Sequence, residues 1–375
     1  MPANGRGLRV LYVTQDDLAK NSGYAFRVDR IRRALETAGC AVTVLGFASG
    51  APAIVCVARR TRSPLRRLRA YLDGLVRPGD CVVITSVGAP YNGLYALALR
   101  LAGKRVIYDM HDPVVFSLPE LFGRGWAMGL AMRWIDAAER LLDRMADGAI
   151  ASSRRAAELY AAWGWRGPIQ VAYNIRADRG AAPAVGARLR ERFAWSGSTV
   201  VVYAGGWQRN VRGLERQVAA AIGARKRGAD VVLVLIGFGE RAYFERLGAP
   251  LIAAGALRFL DDVPPGRLEG VLQECDLAVS CEPVGYLMQS KYFDYLNCGV
   301  RVAAVDDGRD LVDTFGNLVD RFDGTEAALT DYLTGAPRRL DDDEVTRARA
   351  LTRALDRASD DAVAVIVRTV RNARG

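Results

Sequence analysis

Short apolar strands alternate with helix-length segments along most of this sequence, and the alternation runs twice. The first series opens with a strand from Arg9 to Val13 and a helix-period stretch over residues 24–38. Its remaining strands are expected at 41–45, 81–85, 105–109, 148–151 and 169–172, and its remaining helices near 64–76, 91–102, 119–146 and 153–162. Strands that alternate with helices of this length form parallel sheets with right-handed crossovers. The pattern therefore predicts an α/β fold.

The alternation restarts after Asp178 to Gly186, a small, polar and Pro/Gly-rich stretch of the kind that links domains. The second series has expected strands at 199–204, 231–236, 256–260, 276–281 and 300–305, and expected helices at 213–227, 240–253, 265–274 and 290–297. A chain of 375 residues is also too long for one core, because single cores stop growing near about 250–300 residues. We therefore predict two Rossmann-like, doubly wound domains, over 1–178 and 179–340, that face each other across a cleft.

The end of the chain is predicted to be one long helix. Acidic residues at 341–344 suit a helix N-terminus, and a helical pattern follows them to about residue 372. We expect this helix, over 341–375, to return to the N-terminal domain.

Composition narrows the class of protein. Half of the residues are apolar and a quarter are charged, which is globular usage. No apolar run reaches the roughly 20 residues that span a bilayer, and the N-terminus has no signal-peptide apolar region. The six cysteines form no Cys-x-x-Cys pair, so neither a zinc site nor a disulfide framework is predicted. We expect a cytoplasmic protein.

The net charge of +10 is unevenly distributed, since residues 58–79 carry seven arginines and one acid. Only four of the 52 basic residues are lysines, so a coding bias explains the excess as readily as a selected surface does. No nucleic-acid-binding signature is present, and no nucleic-acid partner is expected. The Arg-rich 59–69 and the Trp-containing 116–134 are candidates for peripheral contact with the inner face of a membrane. The alternatives are a solvated helix and a packed core helix.

In open parallel sheets, ligands bind at the carboxyl ends of the strands, so the loops after the strands carry the candidate site residues. In the first domain, Gly23 ends a polar loop after strand one and precedes a helix, where backbone N–H groups meet phosphates. His111 is the only histidine and stands with Asp112 after another strand, where the pair can bind a sugar hydroxyl or move a proton. An ordinary loop glycine and a histidine satisfied by the backbone are the alternatives.

Two loops of the second domain carry glycines directly after strands. Gly205 and Gly206 precede Arg209 and Arg212, two arginines suited to clamping a diphosphate, with solvated side chains as the alternative. Gly237 and Gly239 form a Gly-x-Gly without the third glycine of a dinucleotide fingerprint, and no P-loop motif occurs. A nicotinamide cofactor is therefore not expected, whereas a nucleotide base can pack there.

The most specific segment runs from Ser280 to Gly299 and predicts a strand, a loop and a helix that starts at Ser290 and Lys291. A helix N-terminus with serine and lysine suits phosphate, and an acid one turn inside, Asp294, suits the ribose hydroxyls. An amphipathic helix with exposed charges is the alternative, which the scarcity of lysine in this chain disfavours.

Four motifs over residues 199–304 resemble, in order, those of GT-B-fold glycosyltransferases, and most closely the retaining glycosyltransferase family 4. They read Val-Val-Tyr-Ala-Gly-Gly…Arg-Gly, Val-Leu-Ile-Gly-Phe-Gly, Arg-Phe-Leu-Asp-Asp-Val-Pro, which ends at Val263 and Pro264, and Ser-Lys-Tyr-Phe-Asp-Tyr-Leu-Asn-Cys-Gly. The resemblance places Arg212 at the family lysine and Asp294 at the second acid of Glu-x7-Glu. Trp207 stands at the family arginine and Tyr286 at the first Glu, so Arg209 and Glu282 are the expected substitutes.

The resemblance implies a retaining hexosyltransferase that uses a nucleoside-diphosphate sugar, with no metal and no cofactor. The acceptor hydroxyl would attack the face that the phosphate leaves, with that phosphate as base. Gly23, His111, Arg209, Arg212 and Lys291 are the candidates for stabilising the leaving group. The acceptor would be a glycan, a lipid-linked molecule or a small molecule, as in polysaccharide biosynthesis. The alternatives are a non-catalytic sugar-nucleotide-binding subunit and a nucleotide-sugar 2-epimerase.

Overall fold

A computed structural model describes residues 8–14, 23–46, 54–56, 72–85, 89–111, 116, 126–176, 188–210, 213–261, 263–282, 288–307 and 310–372. Contacts divide the chain into two compact units. Unit 1 is Met1–Ile175 with Ala354–Gly375, and unit 2 is Arg176–Arg353. The linker expected at 178–186 and the basic run 59–69 lie outside the described residues.

Unit 1 is built on a parallel sheet, as the alternation predicts. Its described strands are β1 (Arg9–Val13), β2 (Ala41–Gly46), β3 (Ile54–Cys56), β4 (Cys81–Thr85), β5 (Arg105–Met110), β6 (Gly148–Ala151) and β7 (Ile169–Val171). They form a seven-stranded sheet in the order β3-β2-β1-β4-β5-β6-β7. Its described helices include α1 (Gly23–Thr37), α2 (Ala89–Leu101), α3 (Trp126–Met145) and α4 (Arg154–Trp163). The sequence pattern does not predict strand β3, because three residues are too few to show a period.

Unit 2 repeats this plan. Its described strands are β8 (Thr199–Trp207), β9 (Val231–Gly239), β10 (Leu257–Leu260), β11 (Leu277–Ser280), β12 (Arg301–Val305) and β13 (Val319–Phe322), in the order β10-β9-β8-β11-β12-β13. Its helices are α5 (Leu189–Arg192), α6 (Leu214–Lys226), α7 (Arg241–Leu247), α8 (Ala249–Ala253), α9 (Pro265–Leu272), α10 (Ser290–Asn297), α11 (Asp310–Phe315) and α12 (Glu326–Thr334). Both sheets are parallel throughout their described pairs. The predicted fold class, two Rossmann-like doubly wound domains, is confirmed.

The last helix, α13 (Asp342–Asn372), belongs to both units, because the division falls between Arg353 and Ala354. Its final turns lie in the core of unit 1, where Val363, Ile366 and Val370 pack in one cluster with residues of β1 and α1. The expected return of this helix to the first domain is confirmed. No described helix is long and apolar enough to span a bilayer.

Two expectations about elements of unit 2 are wrong. The single helix expected over 240–253 is interrupted at Gly248, because Pro250 at the start of α8 has no N–H to continue the hydrogen-bond ladder. The strands expected to end at 204 and 236 continue to Trp207 and Gly239, and their added residues pair with each other.

Candidate functional site

A cavity of about 380 Å³ opens at the carboxyl edge of the unit 2 sheet. It is lined by residues at or after the ends of β8, β11 and β12, namely Asn210, Gly213, Glu215, Arg216, Cys281, Glu282, Val305 and Asp307. Strands β8 and β11 are neighbours at the point where the strand order reverses, which is where open α/β sheets bind ligands. The cavity therefore has both the position and the size of a small-molecule site.

Gly213 is the glycine that shapes this cavity, although the sequence directs attention to the glycines before it. It precedes α6 with φ of 65°, and a Cβ on it would lie 2.3 Å from the Cys281 carbonyl oxygen. Only glycine fits both the left-handed backbone and this close approach. The Arg-Gly pair just before a predicted helix is the sequence signal that indicates it.

The four glycines predicted to form ligand loops lie instead in the β8–β9 ladder. Gly205 pairs with Gly237, and Trp207 pairs with Gly239. A Cβ on Gly237 would lie 2.3 Å from the Gly205 carbonyl oxygen, and one on Gly239 would lie 2.1 Å from the Trp207 carbonyl oxygen. Gly206 pairs with Phe238 in the same ladder. The close approach of the two strands accounts for Gly237 and Gly239.

Trp207 stands at the position of the family arginine, and Arg209 is its expected substitute; the two side chains lie in different surroundings. The Trp207 side chain is fully buried, with its ring centroid 5.2 Å from that of Phe259. Arg209 is exposed at the surface, where its Nε lies 2.7 Å from Glu240 Oε2 and its guanidinium stacks over the Tyr243 ring. Arg212 lies outside the described residues.

Glu282 and Lys291 form a buried ion pair at the wall of the cavity. Lys291 Nζ lies 2.9 Å from Glu282 Oε1 and 4.0 Å from the centroid of the Tyr203 ring. The Tyr292 hydroxyl donates to Glu282 at 2.6 Å, and the Ser280 hydroxyl donates to the other carboxylate oxygen at 3.1 Å. Burial raises the pKa of Glu282, but the charge of Lys291 and the hydrogen bonds from Lys291 and Tyr292 outweigh it and lower the pKa to about 2. Glu282 is therefore ionised, and it compensates the lysine that the sequence assigns to phosphate.

The remaining residues assigned to the donor site in unit 2 lie on α10 and after β10. Asp294 Oδ2 lies 3.3 Å from Arg176 Nη1, so the acid assigned to ribose is paired with an arginine. Ser290 is the first residue of α10, and Val263 follows β10; both are half-buried. Tyr286 lies outside the described residues. No sequence pattern predicts the pairing of Asp294 with Arg176, because the two residues are far apart along the chain.

In unit 1, Gly23 and His111 are the described candidates, and the backbone of each is held by hydrogen bonds. Gly23 is the first residue of α1, and its carbonyl oxygen accepts a hydrogen bond from Asn174 Nδ2 at 3.2 Å. His111 follows β5; its N–H donates to the Asp109 carbonyl at 3.0 Å, and its own carbonyl accepts from the Ser152 hydroxyl at 2.8 Å. Asp112 lies outside the described residues. Within the described residues, no group of three or more His, Cys, Asp or Glu is arranged to hold a metal ion.

Helices α2 and α3 expose several large apolar side chains. Trp126, Leu130 and Trp134 follow one another at four-residue spacing along α3 and are 83%, 58% and 52% exposed. Tyr91 and Leu94 of α2 are also exposed. Residues 126–134, the described helical part of the stretch 116–134, are therefore not a packed core helix, whereas Phe116 packs against the core of unit 1.

Comparisons with known proteins agree with the fold and the enzyme class. Residues 4–175 match a family model described as a glycosyl transferase 4-like domain. No curated protein matches the sequence.

Among solved structures, HepE from Anabaena in complex with UDP-glucose aligns with a TM-score of 0.66 at 18% identity, over 98% of this chain and 99% of that one. Sucrose-phosphate synthase from Thermosynechococcus elongatus aligns with a TM-score of 0.68 at 15% identity, over 96% and 94%. WaaG, a glycosyltransferase involved in lipopolysaccharide biosynthesis, aligns with a TM-score of 0.62 at 14% identity, over 94% of each chain. Residues 4–175 therefore belong to a family of glycosyl transferase 4-like domains, and the whole chain has the GT-B fold of these enzymes.

Proposed function

We propose that this glycosyltransferase moves a hexose-type sugar from a nucleoside-diphosphate sugar to a hydroxyl group of its acceptor, with retention of configuration and without a metal ion. The observation that carries the proposal is the cavity at the strand-order reversal of unit 2, which adjoins the N-terminus of α6. HepE, which shares the fold over nearly its whole length, was solved with UDP-glucose. Uracil is therefore the first base to test.

We assign the residues around the cavity to different parts of the donor according to their chemistry. The carboxylates of Glu215, Glu282 and Asp307 are acceptors for sugar hydroxyls, and the backbone N–H groups that open α6 are donors for phosphate. Lys291, Arg209 and Arg212 are the proposed cations for the diphosphate, and Asp294 is proposed for the ribose. In unit 1, Gly23, His111 and Asp112 are proposed to serve the reacting groups.

The proposed reaction balances without a cofactor. The acceptor oxygen forms a bond to the anomeric carbon while the bond from that carbon to the phosphate oxygen breaks. The acceptor proton passes to the departing diphosphate, which carries away the electron pair. Protein cations and N–H groups stabilise the charge that grows on this leaving group.

Nucleotide binding is the first test of the proposal. A ligand that binds only the native state raises the melting temperature, so UDP, GDP, ADP, TDP and CMP and their common sugar conjugates are compared in a thermal-shift screen. We expect one nucleoside diphosphate to give a clear shift that Asp294→Ala reduces. Gly197→Ala is the control, because its Cβ would meet no atom within 4 Å.

Catalysis is tested next, with the donor that the screen identifies. We expect release of the nucleoside diphosphate to depend on acceptor and to survive chelation of divalent cations. Binding without turnover for any acceptor would favour a non-catalytic sugar-nucleotide-binding subunit. Conversion of the donor sugar to its 2-epimer would favour an epimerase.

The exposed face of α2 and α3 supports a second part of the proposal, peripheral contact with the inner face of an anionic membrane. Trp126, Leu130 and Trp134 supply apolar area, and the arginines of 59–69 supply the charge that anionic lipids attract. A membrane-bound enzyme of this kind would modify a lipid-linked acceptor in polysaccharide biosynthesis.

Vesicle co-sedimentation tests the membrane contact. We expect binding to vesicles with about a third anionic phospholipid and little binding to neutral vesicles. Leu130→Ser with Trp134→Ser should abolish binding. Phe238→Ser is the matched control, because Phe238 is an equally exposed apolar residue, 68% accessible, in unit 2. Equal loss in the control, or no loss in the double variant, contradicts the proposal.

A further inference from the structure

One buried ion pair in unit 1 has contacts that reach both candidate residues of that unit. Arg27 is 1% exposed and Asp109 is fully buried. Arg27 Nε and Nη2 donate to Asp109 Oδ1 at 3.0 and 2.7 Å. The other carboxylate oxygen of Asp109 accepts from the Tyr12 hydroxyl at 2.5 Å. Both oxygens of this carboxylate are thus held by side chains from other elements.

The same guanidinium joins helix α1 to several strands of the sheet. Arg27 lies in α1 and Asp109 in β5. Nη1 of Arg27 donates to the carbonyl of Ala172, just after β7, and Nη2 lies 3.5 Å from the carbonyl of Ile150 in β6. A single side chain therefore fixes where α1 sits relative to the carboxyl ends of three strands.

Stability alone is a poor explanation for such a pair. Taking two charges out of water costs about as much as their attraction returns, and well-packed apolar residues are often as stable in their place. An ion pair provides a fixed geometry that apolar packing does not, because the guanidinium fork and the carboxylate meet in one orientation.

The geometry that is fixed concerns Gly23 and His111. Gly23 starts α1 one turn before Arg27, and His111 follows Asp109 by two residues, with its N–H bonded to the Asp109 carbonyl. Asn174, two residues after the carbonyl that Arg27 binds, donates to the Gly23 carbonyl. Each partner of the ion pair thus lies within one turn or two residues of a candidate functional residue.

We propose that Arg27 and Asp109 are positioning residues that set the placement of the α1 N-terminus and of His111 for the sugar-transfer reaction. This inference rests on the proposed function for its effect on catalysis. Its effect on His111 is independent of that function. Neither residue touches substrate in this account, and both act through the elements they join.

Arg30 provides a matched control on the same helix. It lies one turn further along α1, is 4% exposed, and pairs with Asp356 at 2.9 Å and Asp360 at 2.5 Å in α13. Replacing it removes a comparable pair from α1 without touching β5. If the Arg27–Asp109 pair only docked helix α1, replacing Arg27 or Asp109 and replacing Arg30 should have the same effect on His111 and on catalysis.

The first measurement uses the fact that His111 is the only histidine of the chain. Its imidazole therefore gives one set of NMR signals in the full-length protein. We expect Asp109→Asn to shift these signals, and Arg30→Met to leave them unchanged. Unchanged signals in Asp109→Asn would overturn the proposal, whatever reaction the protein catalyses.

The second measurement separates kcat from binding. Because Asp109→Asn leaves a buried guanidinium without its counter-charge, the double variant Arg27→Met with Asp109→Leu is the alternative that keeps the site packed. With wild-type turnover established, we expect either variant to lower kcat by about tenfold or more, as misplacement of reacting groups does, while the UDP dissociation constant stays within about twofold. A double variant with wild-type kcat would refute the positioning role. Absence of turnover in the wild type would instead reject the proposed function and leave the NMR result standing.

Discussion

Glu139 is a buried carboxyl group of α3 that accepts hydrogen bonds from the hydroxyls of Tyr108 at 2.9 Å and Tyr160 at 3.3 Å. Burial raises its pKa from 4.5 to about 7, and the charge of Asp136 adds to this, while the two tyrosine hydrogen bonds oppose it. A carboxyl group whose pKa is higher in the folded state destabilises the fold once it must ionise. Stability is therefore expected to fall as the pH rises from about 4.5 to about 7.

The first prediction is that Glu139→Gln stabilises the protein above pH 7 and has little effect near pH 4.5. Glutamine keeps an acceptor for the tyrosines and carries no charge, and a shift of this size corresponds to about 3 kcal/mol at most. Urea unfolding between pH 4.5 and 8 measures the difference. Glu158→Gln, which removes an exposed carboxyl group on α4, is the control for the loss of a surface charge. A Glu139→Gln variant whose advantage does not grow with pH contradicts the prediction.

The ion pair of Glu282 and Lys291 leads to the second prediction. Lys291→Met leaves a buried carboxylate without its cation, which costs about 3–5 kcal/mol, whereas replacing both partners by apolar residues costs much less. Arg209→Met is the control: its pair with Glu240 is exposed, so its loss should cost under about 1 kcal/mol. Denaturant unfolding of the three variants at pH 7 tests the order. A Lys291→Met variant as stable as Arg209→Met would show that the buried carboxylate takes up a proton at little cost.

Helices α2 and α3 pack closely because one residue between them has no side chain. A Cβ on Gly93 of α2 would lie 2.3 Å from the Ala138 carbonyl oxygen of α3. Gly129, on α3, has no atom within 4 Å of such a Cβ. The two glycines therefore have opposite roles in one helix pair.

The third prediction is that Gly93→Ala destabilises the protein by about 1–3 kcal/mol, because the added methyl overpacks the contact. Gly129→Ala should stabilise it by about 0.5–1 kcal/mol, because alanine is the better helix former at an open position. Thermal unfolding measures both. Equal effects of the two substitutions would mean that helix propensity, and not the α2–α3 contact, sets the result.

The sequence predicts the helices and strands that depend on a local pattern, and it does not predict features that depend on pairing with a segment far away in the chain. Helix α10 is predicted with its observed bounds because its start, its period and Gly299 all lie within one short segment. The sequence predicts Gly205 and Gly237 in ligand loops because both come directly after predicted strands. Their place in the β8–β9 ladder depends on the pairing of two strands that lie far apart in sequence. The cavity wall formed by Gly213, Cys281 and Asp307 was missed for the same reason.

For the whole molecule, the repeated alternation was sufficient to predict two parallel sheets, since few other folds bury so many short apolar strands between helices. The sequence pattern predicts no element between β12 and α13. Strand β13 has only four residues and α11 only six, so neither shows a clear period. The return of α13 to unit 1 is predicted from the two-domain plan, since in enzymes with two Rossmann-like domains a C-terminal helix often crosses back to the first domain.

Helix α13 leads to the last prediction, because its two parts stabilise different units. Ile366 is fully buried in the unit 1 core with residues of β1 and α1, and Leu333 of α12 is equally buried in unit 2. Truncating either to alanine removes apolar contacts at a cost of about 2–5 kcal/mol. We expect hydrogen exchange in Ile366→Ala to quicken in β1, β4 and β5 while β8, β9 and β11 keep their protection, and Leu333→Ala to show the reverse. UDP affinity, proposed for unit 2, should fall only in Leu333→Ala. If both variants lose protection in both sheets equally, the two units unfold as one cooperative structure, and the C-terminal turns of α13 support the whole chain and not only unit 1.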